Sequence, residues 1–302
     1  MPQATLTDRI ENALNEGRML LLGGQVLLGF SYRICFEPRF ENIPEAARLA
    51  ELAGLGFMTA GLGWLLWPVA FHQIADRGRE TERIHSFTTR ILDWGLLPFA
   101  AGLALSLFPV STAMSLPHPA WIGAAAGIVA CAVWYGSLLH RRPQRPEPPE
   151  KPGPPNEALS SRIKRVLIEH RMALPGAQAF LAFQFAIVFQ QGFEKLSRPV
   201  QLIHFFSLLA TTVSIILLIA PAAYHRLAER GQESEHFEKV ASGLLLLALV
   251  FLAPGMAGDL FVVMQKVTGA TLLSAWVSAL LLVAFYLLWF GVSLWKRHKS
   301  PA

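Results

Sequence analysis

The chain has 302 residues, of which 53% are hydrophobic and only 16% are charged, with a mean hydropathy of +0.41 and a net charge of +5. Soluble domains carry about 25% charged residues, so this deficit predicts a polytopic membrane protein. The basic residues lie at the ends of apolar segments, where membrane topology places them, and they do not predict binding to nucleic acid.

Eight apolar segments follow one another along the chain, and most reach the ~20 residues that cross a bilayer. Lipid offers no partner to backbone polar groups, and the segments lack the alternation of a barrel, so each is predicted to be a helix. A short amphipathic helix on the membrane surface is expected before them, at 6–16. The predicted spans are 19–36, 49–71, 87–108, 120–139, 173–189, 202–224, 240–264 and 272–295.

The sequence repeats itself without a gap, at the offset that separates Gln25 from Gln178. The clearest matches join 16–25 with 169–178, 68–72 with 221–225, and 75–82 with 228–235. An even number of helices in each copy makes the copies parallel. The prediction is an all-α integral membrane protein with eight transmembrane helices, arranged as two parallel four-helix repeats.

A proline-rich segment marks the boundary between the copies. Such a density of proline favours extended chain over helix. The predicted domains are a first membrane repeat at 1–140, a cytoplasmic linker at 141–158 and a second membrane repeat at 159–302. Lysine and arginine concentrate on the side that holds the linker, so both termini are predicted to be cytoplasmic.

Gln25 and Gln178 fall within the first helix of each copy, beside Gly23 and Gly176. A glutamine in hydrocarbon needs a hydrogen-bond partner. One interpretation is a polar path for a substrate or ion at a shared central site. The other is an interhelical hydrogen bond that fixes packing, with the glycines allowing close approach of the helices.

Pro68 and Pro221 precede His72 and His225 by four residues, near the cytoplasmic end of the second helix of each copy. A histidine there could cap the last carbonyl groups of the helix, relay protons, or bind a metal or haem as one of a pair. The acidic loop that follows could contribute to a cation site, although acids at that point also suit the start of the next helix.

Glu41 and Glu194 each follow a phenylalanine after the first helix of their copy, on the non-cytoplasmic side. They mark either a point where cations approach the protein or an anchor at the helix end. Asp259 is a further acid, deep in the third helix of the second copy. Its counterpart in the first copy is Ser106, so a site containing Asp259 would be asymmetric.

The chain contains no P-loop, dinucleotide-binding fingerprint, nucleophile elbow, zinc-protease motif or Cys-x-x-Cys pair. We therefore expect neither an enzyme nor a resident cofactor. Cys35 and Cys131 lie in apolar segments and are interpreted as small hydrophobic residues.

Several residues of the second copy resemble a bacterial membrane family that is catalogued as a domain of unknown function, number 6328. The resemblance rests on 169–178, on Phe183, Phe189 and Phe193, and on 220–226, and it covers Glu169 to about Gly269 well. The first copy resembles the family more loosely, with Leu22 in place of Pro175 and Gln73 in place of Arg226. The resemblance implies a four-helix unit in the bacterial inner membrane and brings no activity with it.

Two functions are compatible with these patterns. The first is a small channel or transporter whose path lies between the repeats. The second is a membrane scaffold, sensor or assembly partner that transports nothing. In either case the predicted partners are the lipid bilayer and further copies of the chain.

Overall fold

The computed structural model describes residues 6–78, 81–136, 155–227, 229 and 234–299, which form helices and turns without a strand among them. A 3-10 turn, Pro38–Asn42, follows the first helix, and a π-helix, Leu287–Val292, joins the last two. The all-α prediction is confirmed. The helices are α1 (Leu6–Ile34), α2 (Glu45–Ile74), α3 (Glu82–Ala113), α4 (Pro119–Tyr135), α5 (Pro155–Val188), α6 (Gln191–Glu194), α7 (Arg198–Leu227), α8 (Glu235–Thr268), α9 (Thr271–Tyr286) and α10 (Ser293–Lys299).

Six helical segments of the described chain are long and apolar enough to cross a membrane. They are α2, α3, α5, α7, α8 and the continuous run from α9 to α10. Six of the eight predicted spans therefore coincide with a helix of this kind. Helix α4 is apolar but has only 17 described residues, and α1 is rich in polar residues over its first half. The expected surface helix at 6–16 is wrong as a separate element, because α1 continues from it without a break.

Equivalent residues begin the third helix of each repeat. The hydroxyl oxygen of Thr81 accepts a hydrogen bond from the Ile84 amide at 3.1 Å, and that of Ser234 accepts one from the Phe237 amide at 3.0 Å. Each hydroxyl satisfies an amide that has no partner within its own helix. The register of the repeat is therefore maintained into the third helices.

Helices α1 and α5, the first long helix of each repeat, pack side by side and run in the same direction. Phe30 and Phe183 occupy equivalent positions, and their ring centroids lie 4.8 Å apart. Just past the C-terminal ends of α1 and α5, the Gly192 amide donates to the Phe36 carbonyl oxygen at 3.2 Å. Contacts advance along both helices together, as they do in parallel repeats.

The last helices of the two repeats differ in what they cover. In the second repeat, the stacked rings of Phe285 and Trp289 lie against Gly63 of α2, which belongs to the first repeat. Helix α4 makes no extended contact with α7 in the described chain. The residues at the equivalent positions explain this difference. Ala132 and Gly136 stand in place of the large rings of Phe285 and Trp289, and Ile216 stands in place of Gly63.

The linker predicted at 141–158 lies outside the described residues except for its last four, which begin α5. The bounds of the linker and of the two domains stay a prediction, and α5 begins at Pro155. Proline is well tolerated in the first turn of a helix, where its missing amide has no partner to lose.

Candidate functional site

Three polar side chains meet inside the second repeat, where α5, α7 and α8 enclose them. His204 Nδ1 lies 3.0 Å from Asp259 Oδ1, and His204 Nε2 lies 3.0 Å from the backbone carbonyl oxygen of Gln184. The Gln184 side-chain amide donates to Asp259 Oδ2 at 2.7 Å. All three side chains are buried, and Gln184 Oε1 has no hydrogen-bond partner among the described residues.

These partners determine how many protons the pair of His204 and Asp259 holds. A backbone carbonyl oxygen only accepts hydrogen bonds, so His204 Nε2 carries a proton. The contact between Nδ1 and Asp259 then needs one more proton, on either the imidazole or the carboxyl group. As arranged, the pair is electrically neutral overall and shares one transferable proton.

A second cluster lies inside the first repeat, between α1, α2 and α3. The Ser106 hydroxyl donates to Glu51 Oε1 at 3.3 Å, and the Ser31 hydroxyl lies 3.3 Å from that of Ser106. Glu51 is fully buried, with 0% of its surface exposed, and its Oε2 atom has no hydrogen-bond partner among the described residues. Among the described residues, this cluster thus contains a carboxyl group and two hydroxyl groups but no imidazole.

The two clusters occupy equivalent positions. Ser31, Glu51 and Ser106 correspond to Gln184, His204 and Asp259 at the offset of the repeat. Both clusters lie about two turns from the starts of α2 and α7, because Glu51 and His204 follow the first residues of these helices by the same distance. Each repeat therefore buries one carboxyl group at the same depth, but on a different helix.

Burial of an isolated carboxylate costs several kcal/mol even after the protein relaxes. In the second repeat the imidazole of His204 offsets this cost. In the first repeat the partners of Glu51 are hydroxyl groups, which are neutral. Charge balance there calls for a proton or a small cation.

The structure does not bring Gln25 and Gln178 together. Gln25 is buried at the α1–α5 contact, where its side chain lies over Gly176 and its Oε1 atom has no hydrogen-bond partner among the described residues. Gln178 is exposed, and Gly23 opposite it has open space beside it. One flank of the helix pair is covered by other helices and the other flank is open, so equivalent residues have different surroundings.

The paired histidines also separate. His72 is buried and its Nδ1 atom lies 2.5 Å from Glu169 Oε1 of the second repeat, while Gln73 donates its amide to the other oxygen of Glu169. His225 is only half-buried and packs its ring against Phe237, with centroids 4.8 Å apart. The acid equivalent to Glu169 is the exposed Glu16. A proton, metal or haem role for the histidines as a symmetric pair stays a prediction.

Pro68 and Pro221 are both buried inside continuous helices, and neither ends its helix. Each lacks the amide that would bond to the preceding turn. The helices nevertheless continue to Ile74 and Leu227. The prolines thus contribute to the path of α2 and α7, four residues before the histidines.

Glu41 lies between two lysines of the second repeat. Lys195 Nζ is 2.7 Å from its Oε2 atom and Lys266 Nζ is 2.5 Å from its Oε1 atom. Hydrogen bonds from these two ammonium groups lower the pKa of Glu41 to about 2. Glu194 is exposed and has no such pair of lysines in the described part of the chain. Glu41 therefore joins the repeats at the turn between α1 and α2.

Within the described ranges, no three His, Cys, Asp or Glu side chains approach closely enough to hold a metal ion. Part of the acidic loop predicted as an alternative cation site, including Glu80 and Glu233, lies outside those ranges.

Gln184, His204 and Glu51 were not anticipated from the sequence. Glu51 and His204 fall near the start of a helix, where polar residues are common and attract no notice. The repeat offers a signal that could have revealed them, because aligned residues at three positions within the apolar segments are polar in both copies but differ in type. These pairs are Ser31 and Gln184, Glu51 and His204, and Ser106 and Asp259.

The sequence model of a family of unknown function, DUF6328, matches the chain twice, over residues 2–138 and 154–293. The two matches confirm the tandem duplication and the resemblance of both copies to one family. Comparisons with curated proteins and with solved structures give no match.

Proposed function

Because the chain belongs to the family of unknown function DUF6328, as two fused copies, we propose a function from the site itself: a small transporter or channel that moves protons across the bacterial inner membrane. Glu51 in the first repeat and the His204–Asp259 pair in the second are the proton-binding groups. The protein has eight membrane-crossing helices, and both termini are cytoplasmic. The proposal assigns it transport rather than catalysis.

The observation that supports this proposal is the presence of one buried carboxyl group in each of two equivalent clusters, one in each repeat. Ionisable side chains within a membrane span are rare and expensive, and they commonly mark proton or ion pathways. Asp259 has a proton partner in His204. Glu51 has only hydroxyl partners, and it stays neutral by binding a proton.

The placement of the clusters favours a route within each four-helix repeat over one between the repeats. Each cluster draws its side chains from three helices of a single repeat. At the repeat interface, Gln25 instead fills the space above Gly176. The interface remains the second candidate route, and a Gln25→Leu variant tests it.

A non-transporting scaffold or sensor is the alternative function. It is favoured by the apolar residues that surround Gln25 at mid-helix, since Leu21, Leu28 and Ala177 are all fully buried. On this alternative the polar clusters hold the helices of each repeat together, as hydrogen bonds between membrane helices do.

A flux assay distinguishes these functions. The purified full-length protein is reconstituted into liposomes, and proton, sodium and potassium fluxes are compared for the wild type, Glu51→Gln, Asp259→Asn and Gln25→Leu. Gln178→Leu is the matched control, since Gln178 is exposed. We expect proton flux in the wild type and in the control. Because each repeat carries its own route, we expect Glu51→Gln and Asp259→Asn each to lose the part of the flux that passes through the altered repeat.

A second measurement separates a proton site from a packing contact. Infrared difference spectra between the wild type and Glu51→Gln report directly whether the Glu51 carboxyl group is protonated at neutral pH. A protonated carboxyl band supports the proposal. Absence of flux for every ion, with variants that lose only thermal stability, establishes the scaffold or sensor instead.

A further inference from the structure

A cavity of about 340 Å³ opens at the cytoplasmic ends of three helical segments: the end of α2, the start of α3 and the junction of the π-helix with α10. Three basic side chains line it, together with aromatic rings and a hydroxyl group. From this combination we propose that the cavity binds the phosphate headgroup of an anionic phospholipid. The lining residues are Trp67, Phe71, Arg83, Ser86, Phe87, Arg90, Val292 and Lys296.

The spacing of residues on α3 places the polar lining on one face of that helix. Arg83, Ser86, Phe87 and Arg90 stand at the first, fourth, fifth and eighth positions of a helical stretch, and such positions share a face. Two guanidinium groups thus flank a hydroxyl donor. Guanidinium groups bind phosphate oxygens through paired N–H donors.

Aromatic rings form a second wall and hold one of the cations. Phe71 and Phe87 stack with centroids 4.2 Å apart, and Trp67 meets Phe87 edge-on at 4.9 Å. The Arg83 guanidinium lies 5.0 Å from the centre of the Phe71 ring and 3.8 Å from Asp76 Oδ1. Arg83 is therefore preoriented, and Asp76 is the acid that competes for it.

The third wall comes from the second repeat. Val292 and Lys296 lie four residues apart, on one face of the chain where the π-helix passes into α10. The ammonium group of Lys296 lies 5.2 Å from the centre of the Trp295 ring, and the side chain is exposed. The cavity thus receives cations from both repeats.

The position of the cavity favours a lipid over a soluble phosphate. It lies where membrane spans end on the side rich in basic residues, and aromatic rings are typical of that depth. Basic pockets between membrane helices on the cytoplasmic side bind the headgroups of anionic lipids. The apolar ring faces and Val292 suit the glycerol and the start of the acyl chains.

The second repeat has no equivalent site. At the positions of Trp67, Arg83 and Arg90 it carries Ala220, His236 and Gly243. Two of the three cations of the proposed lipid site thus have no arginine or lysine at the equivalent positions, and the site does not depend on the proton sites described above.

Native mass spectrometry of the delipidated full-length protein tests this proposal. Phosphatidylglycerol, phosphatidylcholine, glycerol phosphate and inorganic phosphate are titrated against the wild type, Arg90→Gln/Lys296→Gln and Arg226→Gln/Lys239→Gln. The last variant removes the same charge from exposed residues of α7 and α8. We expect tight phosphatidylglycerol binding that weakens about fivefold for each cation removed from the cavity and stays unchanged in the matched control.

Three outcomes overturn the proposal. Equal affinity for phosphatidylglycerol and phosphatidylcholine removes the role of the anionic headgroup. Equal weakening in both double variants leaves only nonspecific attraction to the charged surface. Competition by glycerol phosphate or inorganic phosphate at concentrations similar to the lipid assigns the cavity to a soluble ligand. The single variant Arg90→Lys keeps the charge but loses the paired N–H donors, so it is expected to weaken lipid binding less than Arg90→Gln. Arg226→Gln/Lys239→Gln, whose residues lie outside the cavity, serves as the folding control.

Discussion

The indole nitrogen of Trp289 donates a hydrogen bond to the backbone carbonyl oxygen of Gly63, 2.8 Å away, and joins the last helical segment of the second repeat to α2 of the first. The ring of Phe285 lies over the same glycine. A backbone carbonyl is exposed to a side-chain donor here because glycine has no side chain to cover it.

We expect Gly63→Ile, which introduces the residue of the second repeat, to destabilise the protein. Any side chain at this position overlaps the ring of Phe285, and overpacking of this kind costs about 1–3 kcal/mol. The measurement is thermal unfolding in detergent. Gly56→Ala is the matched control, because Gly56 lies on the same helix with open space beside it. An equal effect in both variants would show that α9 does not depend on this contact.

Gly176→Ala is expected to weaken the contact between the repeats, because a methyl group there overlaps the side chain of Gln25. Gly23→Ala, at the equivalent open position, is expected to change stability little. Gln25→Ala combined with Gly176→Ala should recover part of the loss, since the overlap disappears. A double-mutant cycle on unfolding free energies measures this coupling. Strict additivity of the two changes would contradict the contact.

His72→Leu is expected to lower the free energy of unfolding by about 3–5 kcal/mol, because it removes the imidazole from the buried carboxyl group of Glu169. Among the described residues, Gln73 then remains as a hydrogen-bond donor to that carboxyl group. His225→Leu should cost far less, since that side chain is half-buried and packs against Phe237. Chemical unfolding of the two variants provides the comparison. A similar cost for both would mean that the histidines are equivalent after all.

Glu41 is expected to make the stability of the folded protein depend on pH. The two lysines hold its pKa at about 2, below its ordinary value of 4.5. The stabilisation is therefore fully present above about pH 4.5 and is lost as the pH falls toward 2. In Glu41→Gln we expect the decline of the thermal midpoint between about pH 5 and about pH 3 to become shallower.

Glu194→Gln provides the comparison for that experiment, because Glu194 stands at the equivalent position without two lysines beside it in the described chain. Its pH profile should match the wild type. An unchanged slope in Glu41→Gln would assign the acid sensitivity to other carboxyl groups.

The sequence predicted the helices and the duplication well, because long apolar runs and a gap-free offset follow directly from bilayer thickness and from fusion of two copies. It did not predict that Gln25 and Gln178 would differ. Equivalence in sequence says nothing about which flank of the α1–α5 pair the other helices cover. That depends on how the other helices pack, which includes asymmetric contacts such as the one between Phe285 and Gly63.

The candidate site was predicted only through Asp259 and its counterpart Ser106. Glu51 and His204 are unremarkable residues near helix starts until the fold brings them beside those two positions. Hydrogen-bond partners on other helices are what give them a role. Such partners belong to tertiary packing, which the periodicity of a single helix does not contain.

The contact between the Phe285 ring and Gly63 has a consequence for how the two copies have diverged. In an assembly of two identical subunits, every substitution appears in both subunits. One subunit therefore cannot carry only the large ring while its partner carries only the small residue that receives it. Fusion into one polypeptide removes that constraint. Each half is then free to acquire its own residues, as the subunits of a permanent heterodimer are. Here the second repeat carries the large rings, and the first repeat carries the glycine against which they pack.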